Sequence, residues 1–249
     1  MRYIYWFIAI LVVVRFGRIK AFMSKLVEFS RWKYRDARVS MAEHKAGIQR
    51  FKEFGLKIYT GRQGDGKTVS LVNRLNELHD IYPKAKIYTN FRYRHATGQL
   101  SSLNDLLTIR NGDDGVIFGI DEIQNEFSSN TSKDFPETLL GTITMQRKQH
   151  VVILSTSQVF TRVAKPLREQ CFEVIECRTF GGRWTRQRCY DADDYNYMID
   201  QTDPQKKYKV RRKWKSSFIQ TDDIRNCYDT LEVIQRLSRH GFAPKIRIN

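Results

Sequence analysis

The chain has 249 residues, enough for one large α/β domain with a substantial buried core plus extensions. Its formal net charge of +16 favours a polyanionic partner, nucleic acid or the anionic face of a membrane, without choosing between the two. The four cysteines, Cys171, Cys177, Cys189 and Cys227, form no C-x-x-C pair and have no nearby histidines, which argues against a zinc site or disulfide framework and for buried thiols.

Residues 3–14 are an uninterrupted apolar and aromatic run between Arg2 and the cluster Arg15, Arg18 and Lys20. As a helix of about 12 residues the run would rise roughly 18 Å, short of the ~30 Å hydrocarbon core of a bilayer. Spanning would need Arg2 and Arg15 to snorkel, continuation through Phe16 and Ile19, and Tyr3, Tyr5 and Trp6 at the interface. Three readings stay open. A cleaved signal peptide would export whatever follows, and no small-residue cleavage pattern comes after Val14. A buried core helix is the second. The third and favoured reading is a membrane anchor, spanning or interfacial, over residues 1–20, followed by a basic amphipathic helical stalk over 21–54. The basic cluster after the run then places the remainder of the chain in the cytoplasm.

Leu56-Lys57-Ile58-Tyr59-Thr60 reads as a strand, and residues 68–79 carry Val69, Leu71, Val72, Leu75 and Leu78 at near-helical spacing. Between them, Gly61-Arg62-Gln63-Gly64-Asp65-Gly66-Lys67-Thr68 fits G-x-x-x-x-G-K-[ST] at every fixed position. Strand, glycine loop and helix are the setting in which backbone N–H groups cradle the phosphates of a nucleoside triphosphate. Lys67 would reach the β- and γ-phosphates, and the Thr68 hydroxyl would hold a magnesium ion on the same oxygens. ATP and Mg2+ are therefore the expected ligands.

Further along, residues 115–121 form an apolar strand ending in Asp121-Glu122, the way a buried parallel strand delivers carboxylates to the carboxyl edge of its sheet. Asp121 would bind magnesium and Glu122 would take a proton from the attacking water. The run 150–157 turns polar at Ser155-Thr156-Ser157 and should lie beside the acidic strand, projecting Gln158 over the phosphates. The helical segment before it carries Arg147 and Lys148, and Arg162 and Arg168 follow. Each of these arginines is a candidate finger for a neighbouring subunit's ATP or an ordinary surface charge.

Strands are expected at 56–60, 85–91, 115–121, 150–157 and 171–178, with polar loops at 112–115 and 128–136. Residues 172–178 and 183–190, joined through Gly181-Gly182, read as a hairpin, and 222–237 as a closing helix with Ile224, Leu231, Ile234 and Leu237 toward the core. The basic and aromatic segment Tyr208-Lys209-Val210-Arg211-Arg212-Lys213-Trp214-Lys215 reads either as the lining of a DNA path or as an exposed edge strand kept soluble by charge. No internal repeat or long low-complexity tract is present.

Gly61 to Thr68, Ile120-Asp121-Glu122 and Arg147 through Gln158 together resemble the FtsK/HerA branch of P-loop motor ATPases, and within it the zonula occludens toxin (Zot) type ATPases of filamentous phages. Ala85-Lys86-Ile87-Tyr88-Thr89-Asn90 and Tyr228-Asp229-Thr230 are similar to that group as well. The resemblance covers roughly residues 55–235. It implies a three-layer α/β, RecA-like P-loop NTPase fold with a mostly parallel sheet. The ATPase core would cover 55–180, and a carboxyl-terminal appendage of hairpin and helix would cover 181–249. It also implies a membrane-associated homo-oligomeric ring, commonly a hexamer, hydrolysing ATP to move DNA or to drive virion assembly and extrusion alongside viral coat or assembly proteins. In a phage-encoded protein the place would be the host inner membrane, with the ATPase domain in the cytoplasm. Carried over by position, residues 61–68 bind the nucleotide, Thr68 and Asp121 the metal, Lys67 and Glu122 act in catalysis, Gln158 is the sensor and Arg147 the finger. Members of that group usually place the membrane span after the ATPase domain, whereas here the apolar run comes first. Genome packaging, extrusion and plasmid transfer therefore remain alternatives, as does a membrane-tethered, toxin-like factor using nucleotide only as a switch. A small-molecule kinase suits the Asp121-Glu122 strand and Gln158 less well.

Overall fold

Apolar runs that are hydrophobic on both faces cannot lie at a surface, and in this chain they become the central parallel strands of a sheet covered on two sides. The computed structural model describes residues 2–45, 47, 50–127, 141, 145–201 and 210–229. They fall into two units, Met1–Gln49 and Arg50–Asn249.

In the first unit, α1 (Arg2–Lys45) is one continuous helix. It stops short of the stalk's expected end at residue 54 because the chain there is already committed to the second unit. Phe51 is buried with its ring 4.9 Å from that of Tyr82, and its N–H bonds the Asp113 carbonyl at 3.4 Å. Among the described residues no helix is long and apolar enough to cross a membrane. The spanning form of the anchor expected for residues 3–14 is therefore unsupported, because Arg2, Arg15, Arg18 and Lys20 bracket the apolar run too closely.

The second unit opens with β1 (Gly55–Thr60), the phosphate-type loop and α2 (Lys67–Ile81). There follow β2 (Lys86–Thr89), β3 (Arg92–Tyr93), β4 (Gly98–Gln99), α3 (Leu103–Thr108), β5 (Val116–Ile120) and β6 (Val151–Ser157). The chain continues through β7 (Cys171–Phe180), β8 (Trp184–Asp191), a helix Ala192–Asp200, β9 (Trp214–Ile219), a short helix Asp222–Asn226 and β10 (Tyr228–Asp229). Eight strands form one sheet in the order β4-β2-β5-β6-β1-β7-β8-β9. The six from β4 to β7 are parallel, and β8 and β9 return antiparallel. The α/β architecture with a mostly parallel sheet is thus the one the sequence implies.

The apolar stripe of α2, Leu71, Val72, Leu75 and Leu78, packs on one face against Tyr59, Ile117, Val152, Leu154 and Ile175. The other face buries Leu56, Ile58, Phe118, Ile153 and Val174 under Leu106 of α3, Phe160, Leu167 and Tyr195, which makes three layers. All seven residues of β6 are buried. The four cysteines are free and buried, and burial pushes the thiols of Cys177 and Cys189 up to about 12.

Some expectations shift. The strand expected over 85–91 is shorter, because the chain turns at Asn90 into β3. The closing helix expected over 222–237 ends at Asn226. There β10 pairs antiparallel with β3, Tyr228 opposite Tyr93. Residues 230–237 and 128–136 lie outside the described residues, as do Tyr208 and Lys209. Trp214 opens β9, the edge strand of the sheet, with Lys215 on the opposite face of that strand.

Gly115, at φ 77°, introduces the acidic strand, and a Cβ there would lie 2.2 Å from the Phe51 ring. Gly115→Ala combines a left-handed backbone with a buried clash and is expected to cost about 2 kcal/mol or more of stability, read as a lower urea midpoint at unchanged slope.

Candidate functional site

Parallel strands put their carboxyl ends along one edge, so β1, β5 and β6 deliver the phosphate-type loop, Asp121-Glu122 and Gln158 to neighbouring positions. The loop is shaped by its own acid. The Arg62 N–H donates to Asp65 Oδ2 at 2.7 Å, and the Asp65 N–H donates to the Arg62 carbonyl at 3.1 Å. Gly66 stands at φ 80° just before α2, and a Cβ there would come within 2.5 Å of Thr179 Oγ1. Only glycine permits both the turn and that approach. Lys67 is buried and its Nζ donates to the Arg62 carbonyl at 3.2 Å, so its charge is held over the loop.

One carboxylate oxygen joins three segments. Asp121 Oδ1 accepts from Thr68 Oγ1 at 3.0 Å and from Thr156 Oγ1 at 2.6 Å. Thr156 Oγ1 in turn accepts the Glu122 N–H at 2.8 Å. The Asn90 side chain clamps the backbone of Asp121 from β2: its Nδ2 donates to the Asp121 carbonyl at 3.0 Å, and its Oδ1 accepts the Asp121 N–H at 2.7 Å. Burial, with the Glu122 carboxylate adding to it, pushes the Asp121 carboxyl above its ordinary value. The bonds from Thr156 and Thr68 and the charge of Lys67 pull the other way.

Glu122 stands at φ 55°, in the left-handed region that a branched or long side chain adopts only when its surroundings hold it there. Gln158 Nε2 donates to its Oε1 at 3.4 Å, and Gln124 Nε2 donates to its other carboxylate oxygen.

A cavity of about 460 Å³ is lined by Gln63, Gly64, Gly66, Lys67, Thr68, Asp121 and Glu122 from the expected set, a size ordinary for a small-molecule site. Gly61, Arg62, Asp65 and Gln158 line a second, adjoining cavity. Arg147 is not brought to either. It precedes β6, so it lies at the opposite edge of the sheet, about 20 Å of strand away, with its guanidinium 5.5 Å from the Phe54 ring. Arg162 follows β6 and is exposed, while Arg168 Nη1 donates to Asn196 Oδ1 at 3.5 Å.

The far wall of the first cavity had no role assigned from the sequence. It is Thr179, Gly182, Gln220, Arg225 and Tyr228. Gln220 Nε2 donates to Thr185 Oγ1 at 2.7 Å and to Thr179 Oγ1 at 3.2 Å, while Arg225 Nη2 donates to Gln220 Oε1 at 2.9 Å and to the Gly182 carbonyl. With β10 paired to β3, residues 220–229 form a strap from the β7–β8 turn across the mouth of the loop. The only signal for it was the family-like Tyr228-Asp229-Thr230.

The donor set, one hydroxyl and one carboxylate sharing a contact, suits a magnesium ion that takes its other oxygens from phosphates and water. Among the described residues there is no group of three or more His, Cys, Asp or Glu arranged to hold a metal by protein alone.

The strand, glycine loop and helix at the carboxyl edge of a mostly parallel sheet are those of the P-loop α/β fold. The structure is similar to the N-terminal domain of zonular occludens toxin from Neisseria meningitidis, at 17% identity and a TM-score of 0.52, over 70% of this chain and 98% of that one. Lower-scoring matches include the genome packaging NTPase B204 of Sulfolobus turreted icosahedral virus 2 in complex with ATP-gammaS (10% identity, TM-score 0.42, 56% of this chain and 93% of that one). Another is the cytoplasmic domain of the type VII secretion ATPase EccC of Thermomonospora curvata (10%, 0.40, 57% and 23%). No family model matches the sequence, and no curated protein sequence matches it.

Two outcomes follow from this geometry. Asn90→Ala strips two backbone partners from Asp121 and is expected to destabilise the protein by about 2 kcal/mol in urea unfolding. Asp121→Asn keeps the oxygen that accepts from Thr68 and Thr156 but removes the buried charge. The folded-state pKa of Asp121 is raised, so its penalty grows as pH rises from the ordinary carboxylate value through the raised one. The variant should therefore unfold at higher urea than the parent at pH 7, with the gap closing toward pH 4.

Proposed function

We propose that this chain is an ATP hydrolase. The observation that carries the reading is the collection of Lys67, Thr68, Asp121 and Glu122 around one cavity, with Gln158 bonded to Glu122 from the neighbouring strand. The loop N–H groups and Lys67 bind and orient the phosphates. Thr68 and Asp121 hold magnesium, which when bound neutralises charge on the phosphate oxygens. Glu122 takes the proton of the attacking water, and Gln158 and Gln124 keep its carboxylate aimed. Arg147, at the far edge of the sheet, serves only a neighbour's site, so its part as a finger requires a homo-oligomer.

The wider reading is a membrane-associated ring that couples hydrolysis to movement of DNA in phage or virus assembly, extrusion or packaging. It is supported by the net charge of +16, the basic segment following residues 3–14, and the resemblance of the motifs to Zot-type ATPases. On it, residues 3–14 rest at the membrane interface and the ATPase unit lies in the cytoplasm.

The test is hydrolysis by the purified chain, with and without DNA, alongside particle size. Lys67→Ala is expected to lower turnover by about 100-fold or more, and Glu122→Gln to do the same while still binding ATP. Full turnover in Glu122→Gln removes Glu122 as the base. Tight ATP binding with no turnover in the parent chain replaces the hydrolase with a nucleotide switch.

A further inference from the structure

Where the sheet turns antiparallel, one of its faces carries four cations against one acid. Residues directly opposite one another on neighbouring strands project from the same face. By that register three cross-strand rows share a face: Phe180, Trp184 and Ile219; Arg178, Arg186 and Ser217; and Glu176, Arg188 and Lys215. Two of these rows set cation against cation, Arg178 opposite Arg186 and Arg188 opposite Lys215, an arrangement that costs stability in a sheet.

Cations nearby on other faces are compensated. Lys213 Nζ lies 3.1 Å from Glu173, Lys57 Nζ 3.5 Å from Glu173 and Arg183 2.8 Å from Asp222. Among the described residues no ion pair involves Arg178, Arg186, Arg188 or Lys215. Glu176, the one acid in the three rows, accepts instead from the Tyr195 hydroxyl at 3.2 Å.

The face is also concave. Cavities of about 480 Å³ and 590 Å³ lie along it and share Phe180 and Arg186. Aromatic surface lies beside the charge: Phe180, with the Arg178 guanidinium 5.2 Å from its ring, is 41% exposed, and Trp184 is 54% exposed. At its inner end the groove reaches Arg62 and Gln158.

We propose that this groove on β7, β8 and β9 binds single-stranded nucleic acid, with phosphates on Arg178, Arg186, Arg188 and Lys215 and bases stacked on Phe180 and Trp184. Unpaired cations alternating with exposed rings are the means by which proteins hold single strands without reading sequence. A duplex hides its base faces and leaves the rings unused, and an acidic protein segment would answer the charge alone. The proposal deepens the reading of the chain as a nucleic-acid motor and rests on it. It also ties the strand to the site, because Gln158 lines the groove and bonds Glu122.

The experiment is fluorescence anisotropy on the full chain without nucleotide. The probes are a deoxythymidine strand of about 20 nucleotides, a duplex of equal length, and matched uridine strands with deoxyribose or ribose. Tighter binding of single strand than duplex is expected, and the two sugar arms assign DNA or RNA. Arg186→Gln with Lys215→Gln should weaken binding about tenfold and flatten the salt slope by about 1.4, two phosphate contacts at ~0.7 each. Trp184→Ala should weaken it about fivefold or more at unchanged slope. None of the three side chains lines the cavity of Lys67, Thr68, Asp121 and Glu122, and a parent-like urea midpoint shows that the variants are folded. Parent-like affinity in both variants, or duplex bound as tightly as single strand, overturns the groove. Strand binding without hydrolysis in the parent chain would refute the hydrolase and leave the groove standing, whereas hydrolysis with no strand binding does the reverse.

Discussion

The second unit is organised around Asp121 Oδ1, the point where the helix after the phosphate loop, the acidic strand and the strand of Gln158 meet. Thr68 and Thr156 both donate to it, and Asn90 fixes the backbone that carries it. A buried carboxylate is costly in a protein interior unless donors are aimed at it, and here the donors come from segments far apart in the chain. Burial and the Glu122 carboxylate push the Asp121 carboxyl up, while Thr156, Thr68 and Lys67 pull it down.

Much of this was legible because parallel strands buried on both faces leave an unmistakable trace. Val151 to Ser157 and Val116 to Ile120 are continuous apolar stretches, and the polar residues that end them mark the functional edge. The loop 61–68 is legible for a different reason, since its spacing answers to the geometry of backbone N–H groups around an anion. The two-residue strands β3, β4 and β10 carry no period at all, and they exist only through their partners. Tyr228 lies within the stretch expected to be helical yet pairs with Tyr93, a partner that local sequence cannot display. Nothing local assigns Asn90 its bonds to Asp121 or Arg225 its bond to Gly182, because these partners lie 31 and 43 residues away.

Arg147 illustrates a stricter rule. In a parallel sheet a residue before a strand and one after it lie at opposite edges, so Arg147 and Gln158 flanking β6 cannot serve one site in one chain. Linear proximity of an arginine to a sensor residue therefore argues for a role between subunits or for none. The same rule of geometry separates Trp214 from Lys215. Read as a string, Tyr208 to Lys215 mixes rings and charges, but alternation along β9 sends neighbours to opposite faces, and Lys213 is already paired with Glu173. The rings and cations that do share a face, Trp184, Arg186 and Lys215, are brought together by register across strands, not by adjacency.

The reversal of direction after β7 is what makes both surfaces possible. A further parallel strand would need a helical crossover and would leave the edge beside the phosphate loop open. A hairpin instead returns Thr179 and Thr185 close to Gly66, near enough that no side chain fits there. Gln220 then bonds Thr179 and Thr185, and the strap to Tyr228 walls the cavity from the far side. Because side chains alternate along the same two strands, residues facing the strap leave their neighbours, Arg178, Arg186 and Trp184, facing the groove. The turn that walls the cavity of Lys67 and Asp121 and the face that carries Arg178, Arg186 and Trp184 are thus two sides of one hairpin.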